Sequence, residues 1–599
     1  MKTKPSTERN ASESTPSKGL ILLQTVDQCR QPCWLQFSHP QKVITTYTSG
    51  EVVSKLQEIE QEVNQGYYAA GFLSYEAAPA FDIAMKTKSR TDSCPLLWFG
   101  LYKSTQTIPL LTPPSCLDFT LSAWKSSTSF EEYKQNVNRI KEYIAAGDTY
   151  QVNYTMKRHS TFQGDPLGLF HVLYKSQQVN HSAYVDIGDY VFCSASPELF
   201  FRLDGLDIEC KPMKGTAPRG RFLAEDKDQA QWLADSLKNR AENLMIVDTV
   251  RNDLGRCTEI GSIEVPSLFH VERYKTLFQM TSTIVGKTDA SITEIFQSLF
   301  PCASITGSPK IRTMEIIAEL EEQTRGIYTG CIGYIAPHRR AQFNIAIRTV
   351  EIDRESNRAS YGLGGGIVWD SDPKNEYDEC CTKALVLKTR PILFELLETV
   401  LWKPQLGHFL LDKHLLRLEQ SAIYFDIPID IEHIKELLLK ARSDFGIKPH
   451  KVRLLVNQKG QPRVEAEPLN VSHPHRRWKI ALALNPVNPN DRFLYHKTTQ
   501  RDVYQSARES LSAMDDVILW NSNEEITESC FANLVIRKKD KLITPFTTCG
   551  LLAGTYRDHL LDTGKIEEGI IHIADLKKAC TIYLINSVRG WILTDHTGF

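Results

Sequence analysis

Positions 211 to 220 read Lys211-Pro212-Met213-Lys214-Gly215-Thr216-Ala217-Pro218-Arg219-Gly220. A lysine, Lys214, ends an extended apolar stretch and is followed at once by glycine. Ser196-Pro197-Glu198-Leu199-Phe200 lies just upstream. A short hairpin between the two would bring an amine close to a carboxylic acid. That pairing suits substitution at an allylic alcohol, one group attacking carbon while the other protonates the departing hydroxyl. Asp204-Gly205 marks the turn. A two-residue loop there pairs Glu198 with Lys211 rather than Lys214, and Pro212 ends the ladder beyond it.

A second group of residues is acidic. Glu242 falls within a helical pattern, and Glu376 and Glu379 stand three apart in Asn375-Glu376-Tyr377-Asp378-Glu379. That spacing puts the last two on one helical face. Like charges there are either a solvated face or the oxygen ligands of a hard divalent cation that also binds an anionic substrate. A third group lies near the end of the chain. Lys497 follows Tyr495-His496, Glu528 sits in Ile526-Thr527-Glu528-Ser529, and Gly550-Leu551-Leu552-Ala553-Gly554-Thr555-Tyr556-Arg557 comes next. A lysine for a Schiff base, an acid to keep a pyridine nitrogen protonated and a Gly-Thr turn for phosphate are what pyridoxal phosphate needs.

The elements that must hold these groups can be read coarsely. Residues 20–125 alternate short apolar runs with polar turns and predict a β-rich start. Tyr133, Val137, Ile140, Tyr143 and Ile144 have helical spacing that stops at Gly147. Residues 183–212 read as strand, turn, strand. Residues 219–265 lack proline, and 228–250 show helical periodicity. Residues 341–370 read as another hairpin, ending in Gly364-Gly365-Gly366. Residues 1–18 are rich in Ser, Thr, Lys and Glu and read as a disordered tail. A second module begins near Pro391, with no Gly/Ser-rich linker before it, which divides the chain into 1–18, 19–390 and 391–599. No internal repeat is evident.

Composition excludes several classes. The 599 residues exceed one ordinary core. Hydrophobic residues make up 42% and charged residues 24%, the balance of a globular protein. Net charge is −2 with no long basic run, which argues against nucleic acid. No apolar run reaches the ~18 residues of a membrane span, and the first residues lack a secretory signal. The fourteen cysteines are scattered without zinc spacing; Cys29 and Cys33 are the closest non-adjacent pair, and Cys380-Cys381 are adjacent. Reduced thiols and a cytoplasmic location are expected.

Motifs along residues 20–390 resemble those of the chorismate-utilising enzymes. In order they are Gly147-Asp148-Thr149-Tyr150-Gln151-Val152-Asn153, the Ser-Pro-Glu and Lys-Gly-Thr motifs, and Glu242 through Arg251-Asn252-Asp253. Ser304-Ile305-Thr306-Gly307-Ser308-Pro309-Lys310, Asn344-Ile345-Ala346-Ile347-Arg348-Thr349, and Gly364-Gly365-Gly366 through Glu379 and Lys383 follow. The resemblance implies Mg²⁺ held by Glu242 and Glu379 with Glu376 beside them, and chorismate as substrate. Arg348 would pair with a substrate carboxylate. Tyr334, Gly364, Gly365, Thr306, Lys383 and Gln151 would complete the substrate site. Water-using relatives carry a lysine base where Gln151 stands, so ammonia is favoured as nucleophile. Lysine at position 214 resembles the aminodeoxychorismate-synthase branch; the anthranilate-forming branch has alanine there. In the implied mechanism Lys214 adds at C2, Glu198 protonates the C4 hydroxyl, and ammonia then attacks C4 and expels the lysine. Many relatives carry histidine at what aligns with Gln279. No glutaminase motif is present, which implies ammonia from solution or from a separate glutamine amidotransferase subunit.

Residues 391–599 resemble the fold-type IV pyridoxal-phosphate enzymes, near the 4-amino-4-deoxychorismate lyases. The resemblance implies Lys497 as Schiff-base lysine, Glu528 at the pyridine nitrogen, and Arg417, Gly554 and Thr555 at the phosphate. The opening strands usual before Phe394-Glu395-Leu396-Leu397-Glu398-Thr399 are missing. The implied fold is α+β, a large chorismate-binding sandwich-type domain followed by a smaller fold-type IV domain. Together the two imply bifunctional synthesis of 4-aminobenzoate. The alternatives are an anthranilate synthase-like component carrying a C-terminal aminotransferase, or one carrying a non-catalytic docking domain.

Overall fold

Alternating apolar residues build two large antiparallel sheets in the first part of the chain, one of eleven strands and one of ten. The structure, a computed structural model, describes residues 18–26, 31–89, 93–109, 118–387, 392–469, 476–579 and 581–595. The expected tail (apart from Lys18), Cys29 and the expected module boundary at 390–391 lie outside the described residues. The chain forms two compact units. One comprises residues 1–218 and 230–391. The other comprises residues 392–599 together with Arg219–Gln229, so the division does not follow the chain linearly.

In the first unit the strand Gln151–Gly164 pairs with Arg358–Ile367 in continuous register, setting Gly364 opposite Thr155 and Gly366 opposite Asn153. In the other sheet the strand Met213–Pro218 pairs with Leu277–Lys287, with Thr216 opposite Gln279. Phe201, Phe296 and Phe343 meet with ring centroids 5.1 to 5.4 Å apart in a fully buried cluster. Helix Phe130–Ala145 starts on a capping box of Ser129 and Glu132 and buries Tyr133, Val137 and Ile140, as the spacing predicts.

Four readings are corrected. The hairpin turn is Gly205-Leu206, not Asp204-Gly205: Asp204 pairs with Asp207, because Gly205 takes the left-handed position (φ 62°). Leu199, not Glu198, then faces Lys211 across a bulge. The stretch 183–212 is four strands rather than two. The stretch 228–250 is split between helices Leu223–Asp235 and Leu237–Leu254, because the Ser236 side chain caps the second by accepting from Asn239 N. Within the β-rich start stands a helix, Ser49–Asn64, whose Val52, Leu56, Ile59 and Val63 form one buried stripe.

The second unit is also α+β. Strand Leu396–Lys403 pairs with His450–Val456 in a four-stranded sheet. An eight-stranded sheet carries Asp516–Trp520, Ile526–Ser529 and Asn533–Lys538. Helix Leu411–Phe425 buries Leu415, Leu418 and Ala422 and leaves Arg417 at its side. Among the described residues, no helix is long and apolar enough to cross a membrane.

Candidate active sites

In the first unit Glu198 is fixed before its chemistry is considered. It follows the strand Tyr190–Ser196, and its amide donates to Ser196 Oγ at 3.2 Å. Its carboxylate is buried, accepting from Ser304 Oγ at 2.7 Å. Burial pushes its pKa up to about 7, partly offset by Ser304, Lys214 and the Met213 backbone. A carboxyl so placed retains a proton near neutral pH and can act as an acid.

Lys214 is partly open to solvent, yet burial is still the largest influence on its amine and pulls the pKa below the ordinary value. Glu242 and Glu198 oppose that, Lys383 reinforces it and Glu379 opposes it. A Cβ on Gly366 would lie 2.9 Å from Lys214 Nζ and 2.8 Å from Gln151 Nε2. The amine and the amide therefore meet over a glycine that no other residue could replace without displacing them. Gln151 is fully buried, and neither its Nε2 nor its Oε1 has a partner among the described residues. A buried amide with both ends unused is costly unless a ligand completes it.

The acidic side chains border the same space. Glu379 pairs with Lys383 Nζ at 2.8 Å, and that amine also donates to Gly364 O at 2.9 Å. Glu376 accepts from Ser371 Oγ at 2.8 Å, and a Cβ on Gly365 would lie 3.3 Å from its Oε2. Burial raises the Glu376 pKa; Lys383 lowers that of Glu379. The donors are all oxygen, the chemistry a hard cation requires, although among the described residues no three acidic, His or Cys side chains form a ready-made metal cluster. Mg²⁺ asks for less, taking one or two carboxylates and keeping waters.

Arg348 adopts a left-handed backbone (φ 49°) and its Nη1 donates to Gln177 Oε1 at 2.5 Å. Burial lowers its pKa, and only the Tyr361 and Tyr274 rings oppose that. Among the described residues it forms no ion pair, which leaves the fork available to an anion. Thr306 is buried, but its hydroxyl is spent on Cys302 O and Ala303 O. Tyr334 is not among these groups: it packs beside Phe37 at 6.3 Å, in the cluster of Ile21, Phe72 and Phe192. Gln279 fixes the backbone beside Lys214, donating to Gly215 O at 2.9 Å and accepting from Thr216 Oγ1 at 3.2 Å.

Arg325 braces this site from within. Fully buried, it bonds Glu321 at 2.7 and 2.9 Å and donates to Asn153 O and Ile305 O. It thus ties the strand bearing Gln151 to the turn bearing Ser304. Sequence reading missed Ser304 as the partner of Glu198 and Gln177 as the partner of Arg348. Ser304 lay inside a motif; Gln177 gave no signal.

The second unit builds its site around Lys497. Burial and the Arg417 guanidinium bring its pKa down to about 8, against Glu398. Glu528 is buried and pushed up to about 7 by that burial, with Tyr504 Oη donating at 2.7 Å and Leu552 N at 3.1 Å. Arg417 is held side-on by Glu398, at 2.9 and 2.7 Å, and donates to Ala553 O. His414 accepts or donates between Glu398 and Thr555 Oγ1. Burial would raise the Glu398 pKa, but Arg417 and His414 bring it down to about 2. Thr555 opens helix Thr555–Asp562, whose free amides favour an anion. A Cβ on Gly554 would collide with Asn533 Oδ1. The Thr527 hydroxyl, beside Glu528, is buried without a partner among the described residues. These residues fit a phosphorylated pyridine aldehyde. Sequence reading missed Tyr504, Glu398 and His414; the Glu398 signal lay in a motif already noted.

Residues 21–389 match the chorismate binding enzymes, and the chain belongs to that family. Residues 395–593 match the class IV amino-transferases. More particularly, the chain is similar to aminodeoxychorismate synthase component 1 of Salmonella typhimurium, 36% identical over 340 residues, 53% of this chain and 74% of that protein. It is 40% identical to the Escherichia coli protein of that name over 269 residues, 44% of this chain and 59% of that one. Anthranilate synthase component I from Streptococcus pneumoniae shares the fold (TM-score 0.51, 22% identity, 65% of this chain and 95% of that one).

Proposed function

We propose that the chain makes 4-aminobenzoate in two steps, aminating chorismate in the first unit and releasing pyruvate in the second. The observation that carries the reading is the buried Glu198 carboxylate held by Ser304, with the Lys214 amine standing over Gly366 beside the Gln151 amide, unpartnered among the described residues. An amine pushed toward neutrality stands with an acid pushed toward protonation. Lys214 forms a bond to C2 of chorismate as the ring double bond shifts and the C4–oxygen bond breaks. Glu198 delivers its proton to that oxygen, which leaves as water. Ammonia then bonds to C4 and the C2–Lys214 bond breaks, returning the amine. Gln151 cannot act as a base, so water has no activated path to C2. Arg348 holds a substrate carboxylate. Glu242 and Glu379, with Glu376 beside them, would hold Mg²⁺, which would bind the ring carboxylate. Ammonia comes from solution or from a separate glutamine amidotransferase subunit.

In the second unit Arg417, Gly554 and Thr555 would hold the phosphate of pyridoxal phosphate, and Glu528 would face its ring nitrogen. When bound, the cofactor would supply an electron sink for the charge developing at C4. Lys497 would take the proton from C4 as the C3–oxygen bond breaks and the ring becomes aromatic, and the departing three-carbon enolate would take up a proton to become pyruvate. A cytoplasmic setting is part of this reading. Incubating the full chain with chorismate, Mg²⁺, ammonium and pyridoxal phosphate tests it: 4-aminobenzoate and pyruvate in equal amounts support it, and anthranilate as the main product overturns it.

A further inference from the structure

Arg219–Gln229 follow in sequence directly from the strand that bears Lys214, yet they belong to the second unit. The segment is locked in place there. Arg219 makes a two-pronged pair with Asp226 at 2.7 and 2.8 Å, with both side chains almost fully buried. It also donates to Tyr424 O at 3.0 Å and lies 4.7 Å over the Tyr424 ring. Tyr424 Oη returns a bond to Gly220 O at 2.7 Å.

Arg221 is gripped at both ends. Glu225 takes its Nε at 2.9 Å and its Nη2 at 2.5 Å. Its Nη1 donates to Tyr495 Oη at 2.7 Å and Thr548 O at 3.0 Å. Phe222 lies 5.4 Å from the Tyr495 ring and joins the core that contains Tyr504. His496 stacks on Tyr424 at 4.4 Å, shares a hydrogen bond with Ser421 Oγ at 2.9 Å, and faces the Arg221 backbone. Tyr495 and His496 are the two residues before Lys497.

We propose that Arg221, with Arg219 and Phe222 beside it, is a positioning residue for Lys497: it fixes Tyr495 and His496 and so aims the lysine that follows them. This rests on the reading of Lys497 as the cofactor-bearing lysine. The second unit is then completed by residues taken from within the first unit's stretch of sequence. Two of the acceptors of Arg221, Tyr495 Oη and Thr548 O, come from different segments of the chain, so its loss would free both. A charge and hydrogen-bond clamp of this kind, one layer behind a reactive amine, sets the amine's direction more than its identity.

The test uses the full chain, freed of cofactor, as wild type and Arg221→Ala. One readout is the pH dependence of pyridoxal phosphate capture, followed by absorbance, borohydride trapping and peptide mapping. The other is the split between kcat and KM for pyruvate release. In the wild type the capture midpoint is expected near 8. Arg221→Ala should raise that midpoint as water reaches Lys497, and lower kcat about 10- to 100-fold with KM within about threefold. Amination of chorismate should stay within about twofold. A folded Arg221→Ala with unchanged midpoint and kcat overturns the proposal. If that variant does not fold, Glu225→Gln and Tyr495→Phe decide: a raised midpoint in either supports it, and no change in both overturns it. Mapping of the wild-type cofactor to a different lysine overturns the Lys497 reading, and this proposal with it.

Discussion

Among the charges around Lys214 a carboxylate, Glu242, weighs most, with Glu198 and Glu379 beside it and Lys383 against them; around Lys497 a cation, Arg417, weighs most, with Glu398 and Glu528 against it. Burial lowers both amines. Around Lys497 the cation works with burial, and the pKa reaches about 8 without help. Around Lys214 the carboxylates work against burial. A divalent cation on Glu242 and Glu379 would remove most of that opposition and free the amine to attack. The contrast gives a physical reason for the Mg²⁺ proposed in the first unit.

The largest expected effect breaks the contrast at its first member. Lys214→Ala should cut 4-aminobenzoate formation from chorismate by at least about a thousandfold, because no amine remains to add at C2. Some anthranilate should appear as ammonia attacks C2 directly, while pyruvate release from supplied aminodeoxychorismate continues. Product chromatography decides; undiminished 4-aminobenzoate removes the covalent role.

The two buried arginines sharpen the comparison. Arg325 is spent on Glu321, the Thr329 hydroxyl and backbone carbonyls, whereas Arg417 pairs with Glu398 and reaches Ala553 O beside Gly554. Arg325→Met should destabilise the first unit by about 3–5 kcal/mol in denaturant unfolding, because Glu321 stays buried without its partner. Cofactor affinity should not change. A loss below about 1 kcal/mol would show that Arg325 is not a brace.

Glu242→Gln and Glu379→Gln should each raise the Mg²⁺ concentration needed for amination about 10- to 100-fold, since each removes one ligand charge. Neither should alter pyruvate release. An unchanged Mg²⁺ dependence in both variants would mean these carboxylates are not ligands.

The smallest effect is a difference of slope with pH. Glu198 must be protonated to act, and its pKa is near 7, so amination should fall as pH rises through 7. Lys497 must be neutral to capture pyridoxal phosphate, so capture should rise as pH passes 8. Parallel slopes in the two assays would contradict the opposite protonation demands.

Much of both sites was legible because each motif is a local run. Lys214, Glu198, Gln151, Glu242, Glu379 and Lys383 lie near one another, a grouping that the family resemblance implied and their spacing alone did not. What escaped was nonlocal or a matter of backbone geometry. The hairpin register shifted because Gly205, not Asp204, takes the left-handed turn position. Ser236 split a helix that apolar periodicity alone ran together. Tyr334 shares a core with Phe37, a partner far away in sequence. Arg219 stood at the end of the lysine run and Arg221 just past it, and their partners Tyr424 and Tyr495 lie more than two hundred residues on.

The most direct test of two independent chemistries on one chain is Lys497→Ala, assayed with chorismate, Mg²⁺ and ammonium and no other lyase. Chorismate should still be consumed, aminodeoxychorismate should accumulate, and pyruvate release and the pyridoxal absorbance should vanish. Adding a separate lyase should restore 4-aminobenzoate. Formation of 4-aminobenzoate and pyruvate at the original rate by the variant alone would contradict the account.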